Sequence, residues 1–61
     1  MVEVTMINGT KYYLDTTLGV ATAEVNRANA GGASVREAYI DELKTDVVRI
    51  NLRMVVSMKQ V

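Results

Sequence analysis

The chain has 61 residues, no cysteine, no histidine and no proline, and seven basic residues balance seven acidic ones. A domain this short buries only about 60% of its unfolded surface. Without cysteine it can form no disulfide, and without histidine or cysteine the usual zinc and iron–sulfur ligand sets are missing. At 49% hydrophobic it is too apolar and too neutral for a disordered tail.

These numbers predict one α+β domain over residues 1–61. No apolar run approaches the ~20 residues of a membrane span, and Met1 leads directly into strand-like sequence with no leader pattern. The expected location is the cytoplasm, where an absence of cysteine is unremarkable. Charge is unevenly placed. Residues 1–43 carry three basic against six acidic side chains, and residues 44–61 carry four against one. Such a dipolar chain can associate head to tail or present a basic stripe to an anion.

Asn8-Gly9 is flanked by Val2–Ile7 and Thr10–Leu14, which are rich in β-branched and aromatic residues. The pattern predicts a hairpin with a two-residue type I′ turn. That turn would pair Met6 with Lys11, Val4 with Tyr13 and Thr5 with Tyr12. Val2, Val4, Met6 and Tyr13 would share one face, and Ile7, Tyr12 and Leu14 the other. Neither face would be polar, so either the hairpin is covered on both sides or part of one face meets another subunit.

Asp15-Thr16-Thr17 offers helix N-caps. Leu18, Ala21, Val25 and Ala28 then recur at helical spacing. Glu24 and Arg27 are placed to interact on the solvent side, and Gly31-Gly32 supplies a left-handed cap. Residues 33–43 read two ways. Ser34–Glu37 fits a capping box before helically spaced Val35, Ala38, Tyr39 and Leu43, while the sheet's need for a partner favours a strand over about 35–42, followed by a turn at residues 44–46.

At the C-terminal end Val48, Ile50, Leu52, Met54, Val56 and Met58 are apolar and of one parity. Period-2 alternation predicts a half-buried strand, or two strands joined by a bend near Asn51–Arg53. All six apolar side chains are expected to seal one side of the sheet.

Met6-Ile7-Asn8-Gly9-Thr10-Lys11-Tyr12 together with residues 48–58, about a third of the chain, resembles short bacterial and phage proteins such as the FlbD-like flagellar family. Those proteins open on an Asn-Gly hairpin and close on an Ile-Asn strand, a short turn and a strand like Ile-Val-Ser-Ile. The resemblance implies a small, partly open SH3-like barrel, often phage-borne and of unknown function. The shared motifs are structural, so no functional residue carries over.

Ser-His and Cys-His nucleophilic catalysis is excluded by composition, and Gly31-Gly32 lacks the flanking residues of a phosphate-binding loop. No enzymatic activity and no cofactor is expected. Asp41, Glu42 and Asp46 form the one acidic cluster, which a solvated turn beside Lys44 explains better than a cation site. Arg49, Asn51, Arg53 and Lys59 are the best binding candidates. On a continuous strand the first three would project from one face at about 6.6 Å steps, near a nucleotide repeat. Against this stand the lack of aromatics in that strand and a pI near 6.1. A solvated or subunit-facing strand is therefore favoured over nucleic-acid binding. Of Tyr12, Tyr13 and Tyr39, at least one is expected at an interface, where tyrosine is enriched.

Three functions follow from this reading. The first is a non-catalytic accessory protein, phage- or prophage-encoded, that binds a host protein as a homodimer or higher oligomer. The second is a nucleic-acid-binding regulator using the basic strand. The third is a small-ligand or nucleotide binder near Tyr12 or Tyr39.

Overall fold

The computed structural model describes all 61 residues. Strands β1 (Val2–Met6) and β2 (Lys11–Leu14) form the opening hairpin. Helix α1 (Leu18–Asn29) follows, then β3 (Val35–Tyr39), β4 (Val47–Asn51), a single 3-10 turn at Leu52–Met54, and β5 (Val55–Gln60). The strands make one antiparallel sheet in the order β4-β3-β2-β1-β5. The sheet does not close, because β4 pairs only with β3 and β5 only with β1. The α+β architecture and the order hairpin, helix, three strands are as the sequence predicts.

The hairpin register differs from the expected one by one residue. Met6 N–H donates to Thr10 O and Gly9 N–H donates to Met6 O, each at 2.8 Å. The loop is therefore Ile7-Asn8-Gly9, three residues long, with Gly9 alone at positive φ (+87°). A three-residue loop ending in a left-handed glycine is the next most common hairpin closure after the primed two-residue turns. Asn8 favours it, since its Oδ1 accepts the Thr10 N–H at 3.0 Å. Val2 then faces Leu14, Glu3 faces Tyr13, Val4 faces Tyr12 and Thr5 faces Lys11. A one-residue slip exchanges the faces. Tyr12 and Leu14, not Tyr13, join Val2, Val4 and Met6 on the core side, while Ile7 sits exposed in the loop. The hairpin thus has one apolar face and one polar face, contrary to the expectation of two apolar ones.

Helix α1 lies on the apolar face. Ala21, Val25 and Ala28 are buried, whereas Leu18 is 37% exposed. Short alanine side chains let the helix approach the sheet closely, and they leave little room for larger ones. Thr17 is the N-cap, its Oγ1 accepting from Val20 N–H at 3.3 Å. Gly31, at φ +98°, and Gly32 end the helix by donating to the Ala28 and Arg27 carbonyls at 3.2 and 2.9 Å, the paired bonds of a Schellman cap. The expected Glu24–Arg27 contact is replaced. Glu24 Oε2 instead lies 2.9 Å from Nε of Arg36 on β3, an ion pair whose N–H is not aligned on the carboxylate. The ambiguous segment is a strand over Val35–Tyr39, shorter than the expected 35–42.

The alternating C-terminal segment splits at the anticipated bend. Leu52 N–H donates to Ser34 O at 2.7 Å, and Leu52 itself is 2% exposed. The three-residue turn and a register shift between Thr5 and Met6 on β1 each break the parity of the strand. Val55 faces Met6 and Ser57 faces Thr5, so Val56 is the extra, outward residue. Val48, Ile50, Leu52 and Met58 pack into or against the core as predicted, but Met54 and Val56 are exposed, and Val55 takes an inward place. No helix is long and apolar enough to cross a membrane.

Candidate functional site

On the helix-free face one cross-strand row spans all five strands: Lys59, Glu3, Tyr13, Tyr39 and Val47, each directly opposite the next. Glu3 organises it. Its carboxylate accepts the Tyr13 hydroxyl at 3.2 Å and lies 3.5 Å from Lys11 Nζ and 3.8 Å from Lys59 Nζ. Burial, then the hydrogen bond to Glu3, raises the Tyr13 phenol above its ordinary pKa. Lys44 Nζ stands 5.9 Å from the Tyr39 ring centroid and bonds Asp15 Oδ2 at 2.7 Å. The row is self-satisfied, with its charges spent on one another.

The acidic cluster resolves into a loop cap. Asp41 Oδ1 accepts the N–H groups of Leu43 and Thr45 at 3.0 and 3.3 Å, and Oδ2 accepts the Thr45 hydroxyl at 2.6 Å. These bonds hold the Asp41 carboxyl below its usual range, the Thr45 hydroxyl contributing most. Lys44, the one non-glycine residue at positive φ (59°), closes the loop.

The four basic-strand candidates do not form a row. Arg49 and Asn51 lie on β4. Arg53 falls in the 3-10 turn and donates from Nε to Ala28 O at 2.9 Å, satisfying a terminal carbonyl of α1. Lys59 is on β5, at the far end of the Glu3 row. A continuous strand was the condition for a nucleotide-spaced stripe, and the turn at Leu52–Met54 removes it.

The structure instead brings Arg49 and Asn51 together with Tyr12. They line an open cleft of about 230 Å³ where the sheet fails to close, between β4 and the hairpin end. Met6, Ile7 and Asn8 form one wall, Ile50 and Met54 add apolar surface, and half-buried Tyr12 adjoins them. No residue of β3, the sole partner of β4, lines it. Ile7 N–H donates to Met54 O at 2.8 Å, which holds the hairpin loop against the 3-10 turn. Ile7 is 71% exposed and Met54 45%.

Sequence reasoning missed Ile7, Asn8 and Met54. Their signal was the three-residue loop, which takes Ile7 out of the strand, and the interrupted parity at Met54. Tyr13 and Tyr39, on the helix-free face, do not line the cleft. Four of the seven cations are held in ion pairs (Lys11, Arg36, Lys44 and Lys59) and Arg53 caps the helix. Arg49 is in no ion pair, although Glu37 stands opposite it on β3. The arrangement offers apolar contact, a free backbone edge and an uncommitted positive charge, which is the chemistry of binding. Compared with known families, curated proteins and solved structures, the chain matches none.

Proposed function

We propose that this chain is a non-catalytic interaction protein that docks an extended segment of another protein along β4. The carrying observation is the coincidence of a free strand edge with the cleft beside it. An edge strand presents unpaired N–H and C=O groups that an incoming strand can satisfy, and side-chain pockets next to the edge supply selectivity. Natural edges are commonly protected by bulges, lysines or covering elements. β5 has these: the Val56 bulge, Lys59, and contact with the N-terminus of α1, where Leu18 N–H donates to Gln60 Oε1 at 2.9 Å. β4 is regular, with Val47, Val48 and Ile50 and a single charge, Arg49.

In this reading the partner is a host protein and the chain a cytoplasmic, phage-type accessory factor with an SH3-like small-barrel layout, as the FlbD-like resemblance suggests. Self-association accompanies the activity. Its support is the number of exposed large apolar side chains, among them Val35, Leu43 and Val47 around β3 and β4. Sedimentation at micromolar concentration should give a species heavier than 6.7 kDa; a monomer alone would remove oligomerisation from the proposal.

The docking itself is tested by capturing a partner on the immobilised chain and mapping amide hydrogen exchange in the purified complex. Slowed exchange at residues 47–51 is expected. Protection confined to the helix or to the Glu3 row would overturn the assignment. The small-ligand alternative keeps one observation in its favour, Tyr12 beside Arg49 in the cleft. Nucleic-acid binding has none, since the basic residues are dispersed.

A further inference from the structure

We propose that the cleft beside β4 recognises a carboxylate side chain next to an apolar one on the docked segment, an inference that rests on the protein-docking reading above. Two asparagines of the cleft have their amide oxygens already engaged. Asn8 Oδ1 accepts the backbone N–H of Thr10 at 3.0 Å, and Asn51 Oδ1 accepts that of Arg53 at 3.0 Å. An N–H can be accepted only by the oxygen of the amide, so the orientation of both side chains is decided by chemistry. Each asparagine has its acceptor engaged locally and leaves its Nδ2 group, two donors, without a partner in the structure.

Both asparagines line the cleft, and Arg49, which is in no ion pair, lines it with them. A guanidinium has five donors and no acceptor. Among the polar side chains of the rim, free donors therefore predominate, while the Tyr12 hydroxyl and one remaining lone pair on each asparagine Oδ1 can still accept. No carboxylate of the chain itself lines it. A donor-rich rim carrying one full positive charge is complementary to an acceptor-only anion, and guanidinium–carboxylate pairs are the strong, geometrically selective case. The remaining lining, Met6, Ile7, Ile50 and Met54, is apolar. Two methionines make such a surface adaptable to one aliphatic or aromatic side chain of the ligand.

The volume sets the scale. About 230 Å³ accommodates one side chain and part of a neighbour, well under the ~300–1,000 Å³ typical of sites for free small molecules. The cleft therefore reads one or two residues of a segment whose backbone is held elsewhere, on β4.

Nitrogen-15 NMR titration tests this with two acetylated, amidated hexapeptides, one alternating valine and aspartate, the other valine and asparagine. The acidic peptide should shift the Asn8 and Asn51 side-chain NH2 signals and the Arg49 Nε–H signal. It should bind at least roughly tenfold more tightly than its asparagine counterpart, the ratio expected of one charge-assisted contact worth about 1.4 kcal/mol. Arg49→Gln should abolish that preference. Arg27→Gln, at the chain's other arginine without an ion pair or hydrogen bond, should keep it. Equal binding of both peptides, with β4 amides protected, would overturn the carboxylate and leave strand docking standing. Absence of any shift with either peptide at millimolar concentration would overturn both.

Discussion

Leu52 and Val56 occupy equivalent places in the sequence alternation and opposite places in the fold, so truncating each separates pattern from packing. Leu52 is 2% exposed at the 3-10 turn, in the same core as Leu14, Ala28 and Ile50. Leu52→Ala removes the side chain that wedges the turn against α1. Buried Leu→Ala changes cost about 2–5 kcal/mol, rising with the cavity left behind. Helix α1 meets the core through Ala21, Val25 and Ala28, whose side chains are too short to refill the space, so the upper half of that range is expected. A domain of this size has roughly 3–9 kcal/mol of total stability at 0.05–0.15 kcal/mol per residue. Leu52→Ala should therefore lower Tm by at least about 15 °C, at some 4–8 °C per kcal/mol, or unfold the chain outright. Val56 is 63% exposed at the bulge, and Val56→Ala should stay within about 0.5 kcal/mol. Urea and thermal melts followed by circular dichroism measure both. Equal losses would refute the placement of the bulge, and with it the two-fold change of parity after Asn51.

The glycines should respond in opposite directions. Gly19 sits inside α1 with open space around a prospective Cβ, so Gly19→Ala should stabilise by about 0.5–1 kcal/mol; Gly31 has equal space but φ +98°, so Gly31→Ala should destabilise by a similar amount in the same melts. Arg53→Met retains much of the aliphatic length but leaves the Ala28 carbonyl with only the Gly31 N–H as donor, and should cost about 1 kcal/mol; no loss would show that the guanidinium bond adds nothing to the backbone cap. Acid should loosen the 40–46 loop. The Lys44 contact lowers the Asp15 pKa and the Thr45 bonds lower that of Asp41. Their contribution is therefore complete above the unfolded carboxylate value of about 3.9 and is lost as pH falls through the lower folded values. Protection factors of the Leu43 and Thr45 amides, both bonded to Asp41, should fall in that window; a flat profile would contradict the assigned cap.

The hairpin shows how an element can be legible while its register is not. Asn-Gly between β-branched flanks announces a reversal, but two- and three-residue loops share that signature. Choosing between them exchanges the faces of Tyr12 and Tyr13. The Asn8 Oδ1–Thr10 bond favours the longer loop locally, but what fixes the faces is the packing of Tyr12 and Leu14 on the α1 side, which is not local information. The candidate site was half legible for a related reason. Arg49, Asn51 and Tyr12 stand out as polar residues in apolar surroundings, yet Ile7 and Asn8 come from the hairpin loop at the other end of the chain, and Met54 joins them only because the 3-10 turn after β4 breaks the alternation.

From composition and periodicity alone follow the α+β class, the Asn-Gly hairpin, α1 with Thr17 among its offered caps and Gly31 as its end, and a bend near Asn51–Arg53. These rest on interactions within a few residues: turn dihedrals, capping bonds and side-chain spacing. Tertiary structure decided the rest. It settled residues 35–39 as strand, turned Met54 and Val56 outward, gave Glu24 to Arg36 instead of Arg27, and drew Arg53 to the end of the helix. Each of these depends on which surface must be buried and which carbonyl or charge must be satisfied once β1, β5 and α1 meet, and that balance exists only in the assembled fold.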